Sequence, residues 1–163
     1  MALVVEDGTG LANANAYISE SFADTYHSDR GNAAWGSLSS TVKEQLIIKA
    51  TEYLDATYDW IGQIKSDDQA LGWPRKGDVK DKDGRDLKDQ VPTAVKRACA
   101  ELALIGNDGS LVENTDRSSF VTKEKVDVLE VEYSSSAPTS TQYNYVNRLL
   151  YGLYGGGEDL ERD

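Results

Sequence analysis

An apolar stripe with helical spacing runs through residues 41–61 and constrains the fold more than any other feature of the chain. Its members recur at intervals of three, four and one residues, the pattern of a helix that buries one face. They are Val42, Leu46, Ala50, Tyr53, Leu54, Tyr58 and Ile61. Thr41, followed three residues later by Glu44, fits a capping box, and Gly62 suits a helix end. We therefore expect one long helix of about six turns, at the centre of a helical core.

Three shorter helices are predicted around this long one. Ser19 fits the N-cap of a first helix of about ten residues, which Gly31 ends. Pro92 suits the first position of another helix, which Gly106 stops. A last helix is expected over residues 142–154, because its apolar residues share one side. That side consists of Val146, Leu149, Leu150 and Leu153.

Two stretches between the helices lack helical spacing. Residues 63–90 mix acidic and basic residues and contain few large apolar ones. A loop of this length is unusual unless it is functional or held by other contacts, and residues 73–75 are its expected anchor point. Residues 118–133 change to the alternation that is typical of strands. They predict a β-hairpin with its turn near residues 126–128.

The expected fold is mainly α: a small helical bundle with a protruding β-hairpin, a long mixed-charge loop and a C-terminal docking helix. We expect a single domain over residues 1–163, since domains usually have ~100–200 residues. Its parts are an N-terminal arm 1–18, a helical core 19–106 with the loop 63–90, the hairpin 118–133, the C-terminal helix 142–154 and an acidic tail 155–163. An isolated hairpin is marginally stable and a short helix needs a surface, so this pattern favours an oligomer.

The charge of the chain limits the partners that it can bind. The formal net charge is −11 at pH 7 and the pI is about 4.5. Such a surface repels nucleic acids and anionic membranes, because binding to phosphates depends on clustered Lys and Arg. It does not exclude a protein through which DNA passes without adhering. No apolar run has the length of a transmembrane helix and the first residues do not resemble a signal peptide, so we expect a protein made in a cytoplasm.

Nothing in the sequence predicts an enzyme, although two residues keep that alternative open. His27 is the only histidine and Cys99 the only cysteine, so a triad or a Cys-His dyad would depend on them. A helix histidine and a small buried core residue are the simpler interpretations. Ser40 to Lys43 matches S-x-x-K, but at a helix start and without the partner motifs. We expect no catalytic residue, no metal and no cofactor.

Two weaker alternatives concern binding sites. Asp81 and Asp83 resemble part of an EF-hand loop, but the first and the bidentate ligands are missing, which leaves a weak cation site at most. The three tryptophans and nine tyrosines are candidates for stacking on single-stranded DNA. Trp73 is the best of them, since Arg75 and Lys76 follow it. Packing in a core or an interface is the simpler role for aromatic residues.

Six stretches of the sequence carry a resemblance to a known family. In order, they are VEDGTGLANANAYIS, ADTYHSDRGNAAW, ATEYLDATYDWIG, QALGWPRKG, VPTAVKRACAELAL and VTKEKVDVLEVEY. This pattern resembles the head-tail connector (adaptor or head-completion) proteins of long-tailed phages, a family often labelled DnaT-like single-stranded DNA-binding protein. The resemblance extends over residues 4–154. Hairpins of this kind often carry Gly where this chain has Asp127.

The resemblance implies a structural protein of the virion neck, made in the host cytoplasm. A ring of about twelve copies would lie below the portal, extend the DNA channel and offer a platform for the next neck or tail-completion protein. DNA would pass through the ring without sequence-specific binding, and no membrane would be involved. The family label leaves a single-stranded-DNA-binding replication accessory protein as the alternative. The implied interface residues are Trp73, Pro74, Arg75, Val121, Val126, Leu129, Val131, Tyr133, Val146, Leu149, Leu150 and Leu153.

Overall fold

The helices follow the predicted order, with one short helix added. The structure is a computed structural model, and it describes residues 2–111, 121–125, 130–133 and 143–155. Its helices are α1 (Glu20–Ser28), α2 (Ala33–Gly36), α3 (Ser40–Thr57), α4 (Thr93–Asp108) and α5 (Asn144–Leu149). Its strands form two antiparallel pairs, β1 (Gln63–Ile64) with β2 (Arg75–Lys76) and β3 (Val121–Lys125) with β4 (Glu130–Tyr133). The fold is mainly α, as predicted.

The long helix α3 starts from a different cap than the sequence suggested. Ser39 Oγ accepts the Val42 N–H at 3.4 Å, and Ser39 has the extended backbone of an N-cap. The predicted capping box of Thr41 and Glu44 is therefore wrong. The buried residues of α3 recur at helical spacing, as the apolar stripe predicted. They are Lys43, Leu46, Ile47, Ala50, Thr51 and Leu54.

The same helix ends at Thr57, four residues before the predicted end at residue 61. The chain becomes extended there because its backbone pairs with a later segment. Trp60 forms an antiparallel bridge with Tyr154, and the Ile61 N–H donates to Leu153 O at 3.0 Å. The last two members of the apolar stripe are consequently outside the helix. The backbone pairing of Trp60 and Ile61 with residues 153–154 therefore overrides the helical pattern of the sequence at residues 58–61.

Helix α4 packs against α3 and is longer than predicted. Pro92 is its N-cap, with an extended ψ of 143°, rather than its first helical residue. The predicted stop at Gly106 is wrong, since the helix continues to Asp108. A Cβ atom at Gly106 would lie 3.5 Å from Leu111 and 3.6 Å from Leu46. Both distances are ordinary van der Waals contacts, so the structure gives no steric reason for a glycine at this position.

One hydrophobic core surrounds α3 and α4. Helix α1 begins at Ser19, whose Oγ accepts the Phe22 N–H at 3.1 Å, and the turn after it contains Gly31 with a φ of +69°, both as predicted. Helix α2 occupies a stretch where the sequence indicated only a link, and it buries Trp35. Among the helices that the structure describes, none is long and apolar enough to cross a membrane.

Helix α5 is much shorter than the predicted helix 142–154. It ends at Leu149, and the chain then turns through Gly152, whose φ is +83°. Residues 153–155 are extended along residues 59–61, which the helical period could not reveal. The helix lies against α4 of the same chain. Val146 and Leu150 are fully buried there.

Strands β3 and β4 form the predicted β-hairpin. The register places Lys125 opposite Glu130 and Lys123 opposite Glu132, with an irregularity between Val121 and Lys123. The predicted turn at residues 126–128 lies outside the described residues, as do the residues 134–141 between hairpin and α5 and the acidic tail from residue 156 onwards.

The segment 63–90 is irregular, as predicted, but it is folded against the helical body. It contains the short pair β1–β2 and two isolated bridges, Arg75–Lys88 and Lys80–Asp86. Three of its apolar residues belong to the core, namely Trp73, Val79 and Leu87. These core contacts hold the long loop in place, as was expected for a loop of this length in a small domain.

Candidate functional site

Asp55, near the end of α3, connects three separate parts of the chain. Its carboxylate accepts hydrogen bonds from the Tyr17 hydroxyl, from Trp60 Nε1 at 2.8 Å and from the Gly72 N–H at 2.9 Å. The Tyr17 hydroxyl in turn accepts the Trp73 N–H at 3.1 Å. Hydrogen bonds to a carboxylate are stronger than those between neutral groups. The turn that carries Trp73 is therefore fixed to α3 by charge-assisted hydrogen bonds.

Gly72 is required for this arrangement because no side chain fits beside the carboxylate. A Cβ atom there would lie 2.5 Å from Trp60 Cδ1 and 2.7 Å from Asp55 Oδ1. Both distances are too short for non-bonded atoms. The glycine before Trp73 thus lets the turn approach α3 closely enough for its N–H to bind the carboxylate.

Gln69 holds the start of the same segment in place. Its Oε1 accepts the Lys65 N–H at 2.8 Å and the Ser66 N–H at 3.0 Å. Its Nε2 donates to Leu71 O at 2.6 Å. Lys65 Nζ adds a hydrogen bond to Gly8 O at 2.9 Å, which links the segment to the N-terminal arm. The Gln69 side chain therefore fixes the backbone before it, at residues 65–66, and after it, at residue 71.

The N-terminal arm is closed around the carboxylate of Glu6. This buried side chain accepts the N–H groups of Gly8, Gly10 and Leu11, each at 2.9 Å. The two glycines have positive φ angles, of +99° and +85°, which allow the backbone to curl around one carboxylate. The Ala70 N–H donates to Leu11 O and joins the arm to segment 63–90. The glycine-rich stretch thus binds a carboxylate of its own chain with the N–H groups that a phosphate loop would offer.

The predicted anchor Trp73-Pro74-Arg75 is inside the protein. All three residues are buried. Trp73 has no exposed surface, and 9% of the Arg75 surface is exposed. Trp73 Nε1 and Arg75 Nε have no hydrogen-bond partner among the residues that the structure describes. Burial lowers the pKa of the Arg75 guanidinium. These side chains offer a partner little accessible surface, and their role in an interface stays a prediction.

His27 and Cys99 are both buried but are directed to different partners. Asn32 Nδ2 lies 3.0 Å from His27 Nδ1, and His27 Nε2 lies 3.1 Å from Ala100 O. Since a carbonyl can only accept, Nε2 carries the proton and Nδ1 accepts from the amide. Cys99 Sγ lies 3.5 Å from the Thr51 hydroxyl, and burial raises the pKa of the thiol to about 12. The Cys-His dyad considered from the sequence is not formed.

The acidic turn at residues 81–85 is closed by its own hydrogen bonds. Asp81 Oδ1 accepts the Asp83 N–H at 2.9 Å and the Arg85 N–H at 2.8 Å. Arg85 forms ion pairs with both carboxylates, and Lys82 pairs with Asp83. Groups of three or more His, Cys, Asp or Glu residues placed to hold a metal are absent from the described part of the chain. The weak cation site considered for Asp81 and Asp83 thus has no third ligand there.

A groove of about 630 Å³ separates the segment 81–90 from α5 and the start of α4. Its rim includes Arg97 and Arg148, which are exposed and form no ion pair with the described residues. Tyr151 also lines it and is 69% exposed. Sequence reasoning missed this groove, because Arg97 and Arg148 lie about 50 residues apart in the chain and only the fold brings them together.

The predicted interface residues of the C-terminal helix are mostly used within the protomer. Val146, Leu150 and Leu153 are buried in the core, and only Leu149 is partly accessible, at the groove. The apolar stripe therefore packs on α4 of its own chain, whereas the resemblance suggested a surface on another subunit. A contact with another subunit through these positions stays a prediction.

The predicted interface residues of the hairpin fall into two groups. Val121 lies on β3, and Val131 and Tyr133 lie on β4. Val126 and Leu129 are outside the described residues. The register pairs Val121 with Tyr133 and Glu124 with Val131. The register therefore places Val121 and Tyr133 together at one end of the strand pair, and Val131 toward the other end.

Comparison with protein families identifies the chain. A family model described as "Putative DnaT-like ssDNA binding protein" matches residues 1–162. The chain belongs to this family. No curated protein and no solved structure matches the chain. The DnaT-like family is the one whose label accompanied the resemblance noted in the sequence.

The tryptophans of this DnaT-like chain are not displayed for stacking on bases. Trp35, Trp60 and Trp73 all belong to the hydrophobic core. Two aromatic rings are exposed instead, Tyr145 at 55% and Tyr151 at 69%. Trp73 was the best stacking candidate from the sequence, and its complete burial excludes that role in this conformation.

Proposed function

We propose that this chain is a structural, non-enzymatic head-tail connector of a tailed phage. Copies of it form a ring below the portal at the virion neck. The ring extends the DNA channel and provides the platform for the next neck or tail-completion protein. The proposal rests on the resemblance of residues 4–154 to such connectors, and on features of the described residues that suit a ring subunit.

The β3–β4 hairpin is the observation that carries the proposal. Within the described residues, each strand pairs with the other alone, which leaves each with one unpaired edge. Free edges present backbone N–H and C=O groups that a neighbouring chain can complete by β-augmentation. A ring requires two different complementary faces on each subunit. A hairpin that pairs with the adjacent copy would supply one of them.

The charge of the chain suits a channel that DNA must traverse. A net charge of −11 opposes adhesion of the phosphate backbone, and the burial of the three tryptophans removes the strongest stacking groups. Electrostatic repulsion from a ring lumen would keep the DNA away from its walls. The same features that disfavour a DNA-binding protein therefore favour a passive conduit.

Cryo-electron microscopy of the neck of a phage that encodes this chain would test the proposal. We expect a ring of this chain between the portal and the tail, with β3 and β4 at a contact between subunits. Absence of the chain from purified virions would contradict the connector function. A ring in which the hairpin contacts neither a neighbouring copy nor a neck partner would contradict its assigned role.

The family match favours a second candidate, a single-stranded-DNA-binding accessory protein. Arg97, Arg148 and Tyr151 combine basic and aromatic groups in one groove, as in single-strand-binding sites. A gel shift with an oligothymidylate at about 50 mM salt, where phosphate contacts are strong, would detect such binding. Binding by the native chain and its loss in an Arg97→Glu/Arg148→Glu variant would support this candidate. No shift under these conditions would remove it.

A further inference from the structure

The groove beside α5 combines basic residues on its rim with apolar residues in its lining. Asp81 and Asp83 are neutralised by ion pairs with Arg85 and Lys82, as described above. Asp86 is the remaining carboxylate, and it accepts the Lys88 N–H at 2.9 Å. On the other side of the groove lie Arg97 and Arg148, which form no ion pair with the described residues, and the N-terminal end of α4, which carries partial positive charge. The groove therefore suits an anionic segment.

The apolar lining sets a second requirement for a segment that binds in this groove. Its accessible apolar lining is the exposed ring of Tyr151 and the partly accessible Leu149, next to the buried Leu153 and Pro92. Burying one aliphatic side chain against such a surface contributes about 1.5–3 kcal/mol. A fitting occupant has several carboxylates and a single apolar residue between them.

The chain itself contains a segment of this kind. Residues 158–163 read Glu-Asp-Leu-Glu-Arg-Asp, with Leu160 between two pairs of charged residues. They follow three consecutive glycines at residues 155–157. From Gly155, an extended segment of eight residues reaches up to about 26 Å. We propose that the groove of one copy binds residues 158–163 of a second copy of this chain.

The backbone after the groove indicates a second copy rather than the same one. Leu153 lines the groove, but the next residues run antiparallel to residues 59–61, which do not line it. The Gly155 N–H donates to Asp59 O at 2.8 Å. The chain is thus led out of its own groove just before the acidic segment begins. Groove and segment are different surfaces of each copy, so the contact is heterologous and can continue from copy to copy.

Charge-reversal variants of the full chain test this contact by sedimentation velocity at low salt. The groove variant is Arg97→Glu/Arg148→Glu, and the segment variant is Glu158→Lys/Asp159→Lys/Glu161→Lys. We expect the native chain to self-associate as its concentration rises. For each variant alone, the dissociation constant of self-association should rise by roughly tenfold or more. A Lys49→Glu/Lys76→Glu variant changes exposed charges outside the groove by the same amount as the groove variant and should associate like the native chain.

Mixing the two variants provides the decisive measurement. In the mixture, the negative groove of the groove variant can bind the positive segment of the segment variant. The native groove of the segment variant can bind the native segment of the groove variant. Association should therefore return. A native chain that stays monomeric at all concentrations would overturn the proposal, as would a mixture that does not associate. Weakening by the control variant equal to that by the groove variant would also overturn it. If the native chain does not associate and the groove binds oligothymidylate instead, the groove is a DNA site.

Discussion

Single side chains with several hydrogen bonds fix the irregular parts of this molecule. Asp55, Gln69 and Glu6 each bind backbone or side-chain donors from segments that have no regular secondary structure. In a chain with few strands, such groups replace the ladder of backbone hydrogen bonds that a sheet would provide. Removing one of them leaves buried donors without acceptors, which costs more than the hydrogen bonds themselves contribute.

An Asp55→Asn variant should lose about 1–3 kcal/mol of unfolding free energy. The amide has one acceptor oxygen in place of two and carries no charge, whereas three donors converge on this carboxylate. Urea denaturation followed by circular dichroism measures the loss. Asp59→Asn is the matched control, since the Asp59 side chain is exposed on the same stretch of chain. Equal losses in the two variants would contradict the role of Asp55.

His27 should make stability dependent on pH below neutrality. Burial lowers its pKa from the ordinary value of 6.5, so the unfolded chain takes up a proton before the folded chain does. Stability therefore falls as the pH drops through about 6.5. A His27→Gln variant lacks this titration, and the free-energy difference between the native chain and the variant should shrink from pH 7.5 to pH 5.5. A constant difference in urea denaturation over that range would contradict this prediction.

The residues at these positions show what a sequence can and cannot reveal. The burial of Cys99 and the local N-cap at Ser19 follow from residue type and immediate neighbours. Asp55 could not be singled out, because its partners lie 38 and 17 residues away and an acidic residue on a helix normally faces solvent. Arg97 and Arg148 were missed for the same reason, since only the fold brings them to one groove.

At the scale of elements, periodicity predicted where helices exist but not where they end. The hairpin was predicted well, because alternation over two adjacent stretches defines a local strand pair. Helices α3 and α5 both end early, since residues 59–61 and 153–155 pair with each other instead of continuing their helices. This pairing joins segments more than 90 residues apart, and such long-range competition leaves no mark on a local pattern.

Because α5 packs on α4, shortening one buried side chain in this contact should lower the unfolding free energy substantially. Leu150→Ala should lower the unfolding free energy by about 2–4 kcal/mol, because the side chain is completely buried in the shared core. Tyr145→Ala, on the exposed side of the same helix, should change it by less than about 0.5 kcal/mol. Denaturant unfolding of both variants measures the contrast. If Leu150→Ala costs as little as Tyr145→Ala, α5 is not docked on α4 in solution.

At the scale of the whole molecule, the proposed contacts between copies would use surfaces other than those that form the core. The apolar residues of segment 63–90 and of α5 are largely consumed by the protomer's own core. Among the described residues, the edges of the hairpin and the groove with its charged rim are the surfaces that we propose for contact between copies. Variants that disturb assembly should therefore be separable from variants that disturb the fold.

The hairpin provides a test of this separation. Leu129→Asp/Val131→Asp should leave the helical circular dichroism and the unfolding midpoint unchanged but prevent assembly, since new charges oppose burial at an interface. A Ser135→Asp/Ser136→Asp variant adds the same charge nearby and should still assemble. Size-exclusion chromatography or electron microscopy reports ring formation. Rings formed equally well by both variants would show that the hairpin is not at an interface.

The pairing of residues 153–155 with residues 59–61 also determines how the molecule transmits tension. A pull on residues beyond Gly155 reaches the backbone hydrogen bond to Asp59 first, and then the bond between Leu153 and Ile61. Only after these bonds does it reach α5. The force is thus carried into the end of α3, the longest helix of the core, and α5 is shielded from being peeled away.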